Sequence, residues 1–258
     1  MAQVVAEIEV WGTVVTVDVA SLEVSEDDLN QALGRVREYV HHIDEVFSTY
    51  KPESTISRLR RGEIAVGDTS EEVKEVWNRS LFARELTMGA FDPWAVEGGF
   101  DPSGLVKGWA ADKCCEILLE HGAQHIQINA AGDISLRGGF FNGQEVVPWS
   151  IGVINPENRL EIVEVFEIMD GSIATSGTYE KGAHIRDPHT GLIAIGARSA
   201  TVIGPDGGLT DALATALMVE GRDGAAWFGQ PGLEQYSAWV IDRHENVSWS
   251  VGPESLKR

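Results

Sequence analysis

Asp211 and Thr215 stand four residues apart in the apolar run Leu209-Thr210-Asp211-Ala212-Leu213-Ala214-Thr215. On a helix such a pair shares one face. A carboxylate and a hydroxyl are hard oxygen donors. They suit Mg²⁺, which keeps waters and usually shares its shell with substrate phosphates. A cation near a helix N-terminus opposes the dipole, so the pair makes chemical sense chiefly with a ligand that brings phosphate charge. The plainer reading makes Asp211 a helix cap and Thr215 a core filler. Spacing alone favours that plainer reading.

Three other stretches collect reactive groups. Gly99-Phe100-Asp101-Pro102-Ser103-Gly104-Leu105-Val106-Lys107-Gly108-Trp109 sets a carboxylate, a hydroxyl and a lysine between glycines. A glycine-rich turn that opens a helix can aim backbone N–H groups at an anion, and Lys107 adds charge for a phosphate. The spacing is neither a Walker A loop nor a dinucleotide fingerprint. Equally open is a plain turn with Asp101 or Ser103 as N-cap. Ala183-His184-Ile185-Arg186-Asp187-Pro188-His189-Thr190-Gly191 carries an imidazole suited to general-base work, with Asp187 close in sequence. It also reads as a type I turn on Asp187-Pro188, with His184 on a strand and His189 exposed. Ala174-Thr175-Ser176-Gly177-Thr178-Tyr179-Glu180 is a strand end with three hydroxyls. Ser176 lacks the nucleophile-elbow spacing of a hydrolase.

These residues need elements to position them. Valines and isoleucines alternate through residues 4–20 and predict two strands around Trp11-Gly12-Thr13. Ser25 with Asp28 forms a capping-box pattern. Leu29, Leu33, Val36, Val40, Ile43 and Phe47 follow at helical spacing. Ser54–Leu59 reads as a short capped helix, and Ser70–Leu86 as a longer one with Ser70 as N-cap. A further helix is expected from Ala110 to His121, closed by Gly122. From Ile126 onward the pattern turns to strands: 126–128, 134–136, 146–153, 160–169, 173–176 and 200–203. A helix from Asp211 to Glu220 and a short one at 225–228 follow. A hairpin over 236–241 and 247–251 closes the chain. Strands at both ends with helices between predict one interwoven α+β domain.

Composition sets limits. The 258 residues, 43% hydrophobic and 23% charged, are ordinary for a folded protein with a sizeable core. A net charge of −20 argues against a nucleic-acid-coating surface. No apolar run reaches membrane-spanning length, and the N-terminus lacks a secretory pattern. Cys114 and Cys115, the two cysteines, match neither metal nor redox spacing. They read as core thiols in a reducing cytoplasm.

In order along the chain, these stretches resemble the ApbE family of FAD:protein FMN transferases. Phe47–Tyr50 through Ser54–Leu59 is similar to the family's Tyr-x-x-x-Ser-x-Ile-Ser-x-Leu segment. Gly89-Ala90-Phe91-Asp92-Pro93 resembles its Gly-x-Phe-Asp motif. Asp101 to Asp112 matches Asp-x-x-x-x-x-Lys-Gly-x-x-x-Asp. Asn129–Asp133 resembles Asn-x-Gly-Gly-Asp. The stretches around Ser176, His184 and Asp211 complete the set.

The resemblance implies a single T-fold-like domain over 1–258, with mostly antiparallel sheets and packed helices. It implies Mg²⁺-dependent transfer of FMN from FAD to a Thr or Ser hydroxyl of an acceptor flavoprotein, with AMP released. By the same resemblance Asp211, Thr215 and the Gly104 carbonyl hold Mg²⁺. Asp101 and Lys107 contact FAD, and Ala90, Phe91 and Asp92 line its site. Tyr50 stacks on the flavin, Trp11 lies beside it, and His184 activates the acceptor hydroxyl. Trp11 stands where the family commonly has Met. Pro102 stiffens the loop, and Ala131 replaces a glycine. Arg186 stands where an aliphatic residue is usual, as a flavin or phosphate contact or as an exposed strand residue. A Mg²⁺-dependent FAD pyrophosphatase would use the same residues. A non-catalytic FAD carrier is the other alternative, against which Asp211, Thr215 and His184 together argue, because binding alone needs no base. The acceptor is expected to present an exposed Thr/Ser flavinylation motif, which this chain lacks.

Overall fold

The first hairpin pairs β1 (Ala2–Val10) with β2 (Thr13–Ser21) in antiparallel register from Ala2↔Ser21 to Val10↔Thr13. Its alternating valines bury Ile8, Val10, Val15, Val17 and Val19 on one face. A computed structural model describes residues 1–177, 185–243 and 247–253. Helix α1 (Glu26–Phe47) starts at Ser25, where the capping box with Asp28 is formed on both sides. All six of its expected core residues, Leu29 to Phe47, are buried. Helices α2 (Thr55–Arg60) and α3 (Glu71–Leu86) follow. Ser54 caps α2 by accepting from the Ser57 N–H at 3.0 Å, whereas Ser70 stands at the N-cap of α3 without a side-chain bond.

Helix α4 runs from Ser103 to Glu120, so the expected start at Ala110 is two turns late. Gly104 and Gly108 read as turn residues in isolation. Both lie inside the helix, whose N-cap is Pro102 without a side-chain bond, because burial of Leu105, Val106 and Trp109 holds its first turns. Next come β3 (His125–Ala130), β4 (Asp133–Arg137), β5 (Phe140–Phe141), β6 (Val146–Val147), β7 (Trp149–Asn155) and β8 (Asn158–Ile168). The single strand expected over 146–153 is two, split at Pro148, which has no N–H to give a ladder. β9 (Gly171–Gly177), β10 (Ala197–Gly204), α5 (Gly207–Glu220), a 3-10 segment (Gly221–Gly229), β11 (Ser237–Asp242) and β12 (Ser248–Val251) follow, and a short 3-10 turn (Val66–Asp68) lies between α2 and α3. α5 begins one turn before the expected Asp211, capped by Asp206, whose carboxylate accepts from the Leu209 N–H at 2.9 Å.

Eight strands form one sheet in the order β1-β2-β3-β4-β9-β10-β11-β12, each pair antiparallel. Helices α4 and α5 cover one face of its centre. The β7–β8 ribbon covers part of the other over Leu136, Trp149, Phe166, Ile173 and Ile203. The expected α+β class is observed.

Two helices approach unusually closely within the main core. A Cβ placed on Gly108 of α4 would lie 2.2 Å from the Gly207 carbonyl oxygen of α5. One placed on Gly207 would lie 2.6 Å from the Gly108 oxygen. Only glycine fits on either side of this backbone contact.

The β3–β4 turn is Ala131-Gly132, with φ of +60° and +99°. A two-residue turn with both φ positive matches the strand twist, but it asks Ala131 to adopt the left-handed region. Ala131→Gly is therefore expected to raise stability by up to about 1 kcal/mol, measured by denaturant unfolding. A lowered midpoint contradicts the strain assigned to this residue.

Candidate functional site

The strand register gathers the site at one end of the sheet. Val15 of β2 pairs with Ala130 of β3, so the turns Trp11-Gly12 and Ala131-Gly132 lie at the same end. Asp133 pairs with Ala174, which brings the C-terminal end of β9 beside them. The first turns of α4 and the middle of α5 meet this edge from the helical layer.

Gly104, Asp211 and Thr215 converge there. Asp211 is almost wholly buried and Thr215 half-buried, one turn apart on α5. A Cβ on Gly104 would lie 3.4 Å from Thr215 Oγ1 and 3.2 Å from the ring of Phe91, so only a side-chain-free residue sits easily here. Gly104 has φ −86° and ψ 20°, outside helical values. That ψ turns its carbonyl away from the axis of α4, the direction a helical carbonyl takes. Thr215 Oγ1 is 3.3 Å from Ser176 Oγ at the end of β9. Asp206, not Asp211, is the cap, and Thr215 presents its hydroxyl to a polar neighbour. The plainer reading of the pair is thereby set aside.

Lys107 lies one turn beyond Gly104. Its ammonium donates to Asp133 Oδ2 and stands 3.6 Å from Asp211 Oδ2. Burial alone would lower its pKa. The two carboxylates outweigh burial and hold the ammonium above its usual range. The lysine thus ties α4 to β4 and α5 and does not point free toward a phosphate.

The start of α4 is closed by its own chain. Asp101 Oδ1 accepts from the Ser103 N–H at 3.0 Å and from the Ser103 hydroxyl. Leu105 and Val106 both donate to the Pro102 carbonyl at 2.9 Å. The anion cradle expected from glycines at this turn is therefore largely committed, and the N-cap is neither Asp101 nor Ser103 but Pro102, with Asp101 one residue ahead holding Ser103. Arg60 fixes the loop ahead of it. It donates to the carbonyls of Glu97 and Gly98 and stands 3.8 Å from Asp101.

Other expected residues are placed as follows. Ala90 and Phe91 are buried, and Phe91 N–H donates to Thr87 Oγ1 at 3.1 Å. Asp92 accepts from Arg84 Nε at 2.7 Å and from the Trp94 N–H at 2.9 Å. Trp11 is half-buried with φ +58°, a left-handed conformation that is rare for an aromatic residue. Tyr50 is 95% exposed. Arg186 is exposed, bridges to Ile193 and donates to the Gly191 carbonyl at 3.1 Å. That exposed, strand-like position leaves its guanidinium open to solvent. The turn at Asp187-Pro188 closes from the Gly191 N–H to the Asp187 carbonyl at 2.8 Å, one residue longer than a type I turn. His189 is exposed and packs against Gly89. His184 lies outside the described residues.

Asp112 carries weight that spacing did not reveal. Its carboxylate accepts from the hydroxyls of Ser135 and Ser172 at 2.7 and 3.0 Å and from Arg137 at 2.9 Å. It also accepts from the Gly207 N–H at 2.6 Å, which fixes the first turn of α5. Among the described residues no three His, Cys, Asp or Glu side chains are grouped to hold a metal. A cation here would rest on one carboxylate, one hydroxyl and one carbonyl, the hard oxygen set that suits Mg²⁺.

The model of the ApbE family matches residues 11–97 and 96–237. The chain belongs to the ApbE family. Its curated relatives include the FAD:protein FMN transferase of Escherichia coli K12, 32% identical over 135 residues. That match covers 48% of this chain and 38% of the relative. The FAD:protein FMN transferase of Treponema pallidum is 29% identical over 138 residues, with the same coverage of 48% and 38%. The chain thus spans less than half the length of the curated relatives it matches. Solved ApbE structures agree over nearly the whole chain. The ApbE protein of Thermotoga maritima superimposes with a TM-score of 0.85 at 23% identity, covering 99% of each chain. The flavin transferase ApbE of Vibrio cholerae gives 0.82 at 22%, covering 96% and 97%. These likenesses establish the ApbE fold. Among the described residues no helix is long and apolar enough to cross a membrane.

Proposed function

We propose that this ApbE-family chain transfers FMN from FAD to a Thr or Ser hydroxyl of an acceptor flavoprotein. The acceptor oxygen attacks the FMN-side phosphorus and forms a phosphoester. The bond to the AMP phosphate oxygen breaks, and AMP leaves with its electron pair. The observation that carries this reading is Gly104 set against Thr215, one turn from buried Asp211. Those three residues would hold Mg²⁺ by the Gly104 carbonyl, the Thr215 hydroxyl and the Asp211 carboxylate. When bound there, Mg²⁺ supplies neutralisation of charge on the pyrophosphate oxygens.

The chain's own residues do the rest. Lys107 stands beside the same oxygens and can turn its ammonium to a phosphate. Ala90, Phe91 and Asp92 shape the wall next to Gly104, since Phe91 already touches that position. Asp101 holds Ser103 with one oxygen and offers its second to FAD. Tyr50 keeps an uncovered ring face for the isoalloxazine, and Trp11 is held in a strained turn at the same end of the sheet. Arg186 offers an exposed cation at the rim. His184 takes the proton of the acceptor hydroxyl, a role that rests on its motif position. Cys114 and Cys115 are buried free thiols whose pKa values are pushed up by burial, which suits a cytoplasmic setting.

The test is AMP release from FAD and Mg²⁺, with and without an acceptor peptide bearing a flavinylation motif. AMP that appears only with the acceptor supports transfer. AMP with free FMN at the same rate without it supports a pyrophosphatase. Bound FAD with no AMP under either condition supports a carrier.

A further inference from the structure

Asp133 of β4 and Asp211 of α5 are two buried carboxylates that share one cation, the ammonium of Lys107. Their side chains are 7% and 5% exposed, and that of Lys107 24%. Lys107 and Gly104 are three residues apart on α4 and so present to the same side of the helix. The ammonium therefore draws on the carboxylate that the proposed metal site also needs, and from the same direction.

We infer that Lys107 is the resident counter-ion of Asp211 and makes divalent-cation uptake depend on nucleotide: the cation enters with a pyrophosphate and not before it. This rests on the metal reading above. Before any ligand arrives the group of three carries one net negative charge. A divalent cation alone would turn that into a net positive charge, at a site with little water to screen it. A pyrophosphate brings two negative charges and reverses the imbalance. It also gives the ammonium a second anion to turn toward, which a flexible four-carbon stem allows while Asp133 keeps its hold. Lys107 is in this sense a positioning residue. It keeps Asp211 in place in the empty site and releases it when phosphate oxygens arrive.

Isothermal titration calorimetry with Mg²⁺ alone and with Mg²⁺ plus saturating ADP tests this. ADP supplies the pyrophosphate and cannot donate FMN. Wild type should bind Mg²⁺ alone weakly and gain about tenfold or more with ADP. Lys107→Met should bind Mg²⁺ alone about tenfold tighter than wild type, with a correspondingly smaller gain from ADP. Because Lys107→Met leaves two buried carboxylates facing one another, the paired variant Lys107→Met/Asp133→Asn is measured beside it. It removes the ammonium with one carboxylate, so the net charge stays at one negative, and its Mg²⁺ affinity should lie between those of wild type and Lys107→Met. A Lys107→Met protein that keeps its unfolding midpoint and binds Mg²⁺ alone no tighter than wild type overturns the inference, as does a wild type that gains nothing from ADP. Asp211→Ala separates this from failure of the metal reading. If Asp211→Ala takes up Mg²⁺ with ADP as well as wild type does, the metal reading falls and the inference with it.

Discussion

Asp211→Ala is expected to lower Mg²⁺-dependent turnover of FAD by about a thousandfold, or about 4 kcal/mol of transition-state stabilisation. Asp211 supplies the only carboxylate in the proposed donor set. The remaining hydroxyl and carbonyl are neutral and cannot replace its charge. The fold should survive the change. Lys107 keeps its stronger partner Asp133, so removing Asp211 leaves one buried acid matched by one buried base. Methyl replaces carboxylate in a site already closed by α4 and β9, and FAD contacts elsewhere are untouched. The measurement is kcat from AMP release, with unfolding followed in parallel. A thousandfold loss with near-normal stability supports the assignment. Unchanged turnover contradicts it, whatever the stability.

Gly108→Ala should have the largest effect on stability, about 3 kcal/mol of loss. The added methyl would meet the Gly207 carbonyl oxygen at 2.2 Å, and the carbonyl carbon at 2.5 Å. Both are backbone atoms with no rotamer to escape into. The helices must separate, and the contact lies where Asp112 fastens the first turn of α5 by its bond to the Gly207 N–H. Shifting that turn also shifts Asp211 and Thr215, four and eight positions along the same helix. Activity should fall along with the unfolding midpoint. A stability change within about 0.5 kcal/mol would contradict the close crossing.

The sequence was most legible where one period dominated. The α1 stripe from Leu29 to Phe47 and the Val15-Val17-Val19 alternation of β2 predict the right elements with the right faces buried, whereas in β1 Ile8 and Val10 are buried and Val5, at an odd position, lies exposed on the other face. It was least legible where glycine serves packing. Gly104 and Gly108 read locally as turns, yet with Gly207 and Gly208 they let α4 and α5 approach, a tertiary demand with no local signature. That is why both helices start earlier than expected. Pro148 is the residue whose missing N–H splits the strand expected over 146–153.

The site divides in the same way. The spacing of Asp211 and Thr215 was readable, and the family motifs brought Gly104 and Lys107 into the same account. Their juxtaposition depends on a helix crossing that spacing does not encode. The ammonium of Lys107 was expected to be available to phosphate, but the fold pairs it with Asp133 from a distant hairpin. Asp133 and Asp112 close two of the family-like motifs, whose spacing assigns neither a partner. The signal for both was their place at the ends of family motifs. Their partners Lys107, Ser135, Ser172 and Gly207 are visible only once the sheet is assembled.

The central claim is that this chain moves FMN onto a protein hydroxyl. The most direct measurement is the intact mass of an acceptor flavoprotein with an exposed Thr/Ser flavinylation motif, after incubation with this chain, FAD and Mg²⁺. The account predicts a gain equal to one FMN phosphoester on the acceptor Thr or Ser, absent when EDTA is added. An unmodified acceptor, in a reaction where FAD has been consumed to AMP and free FMN, would contradict it.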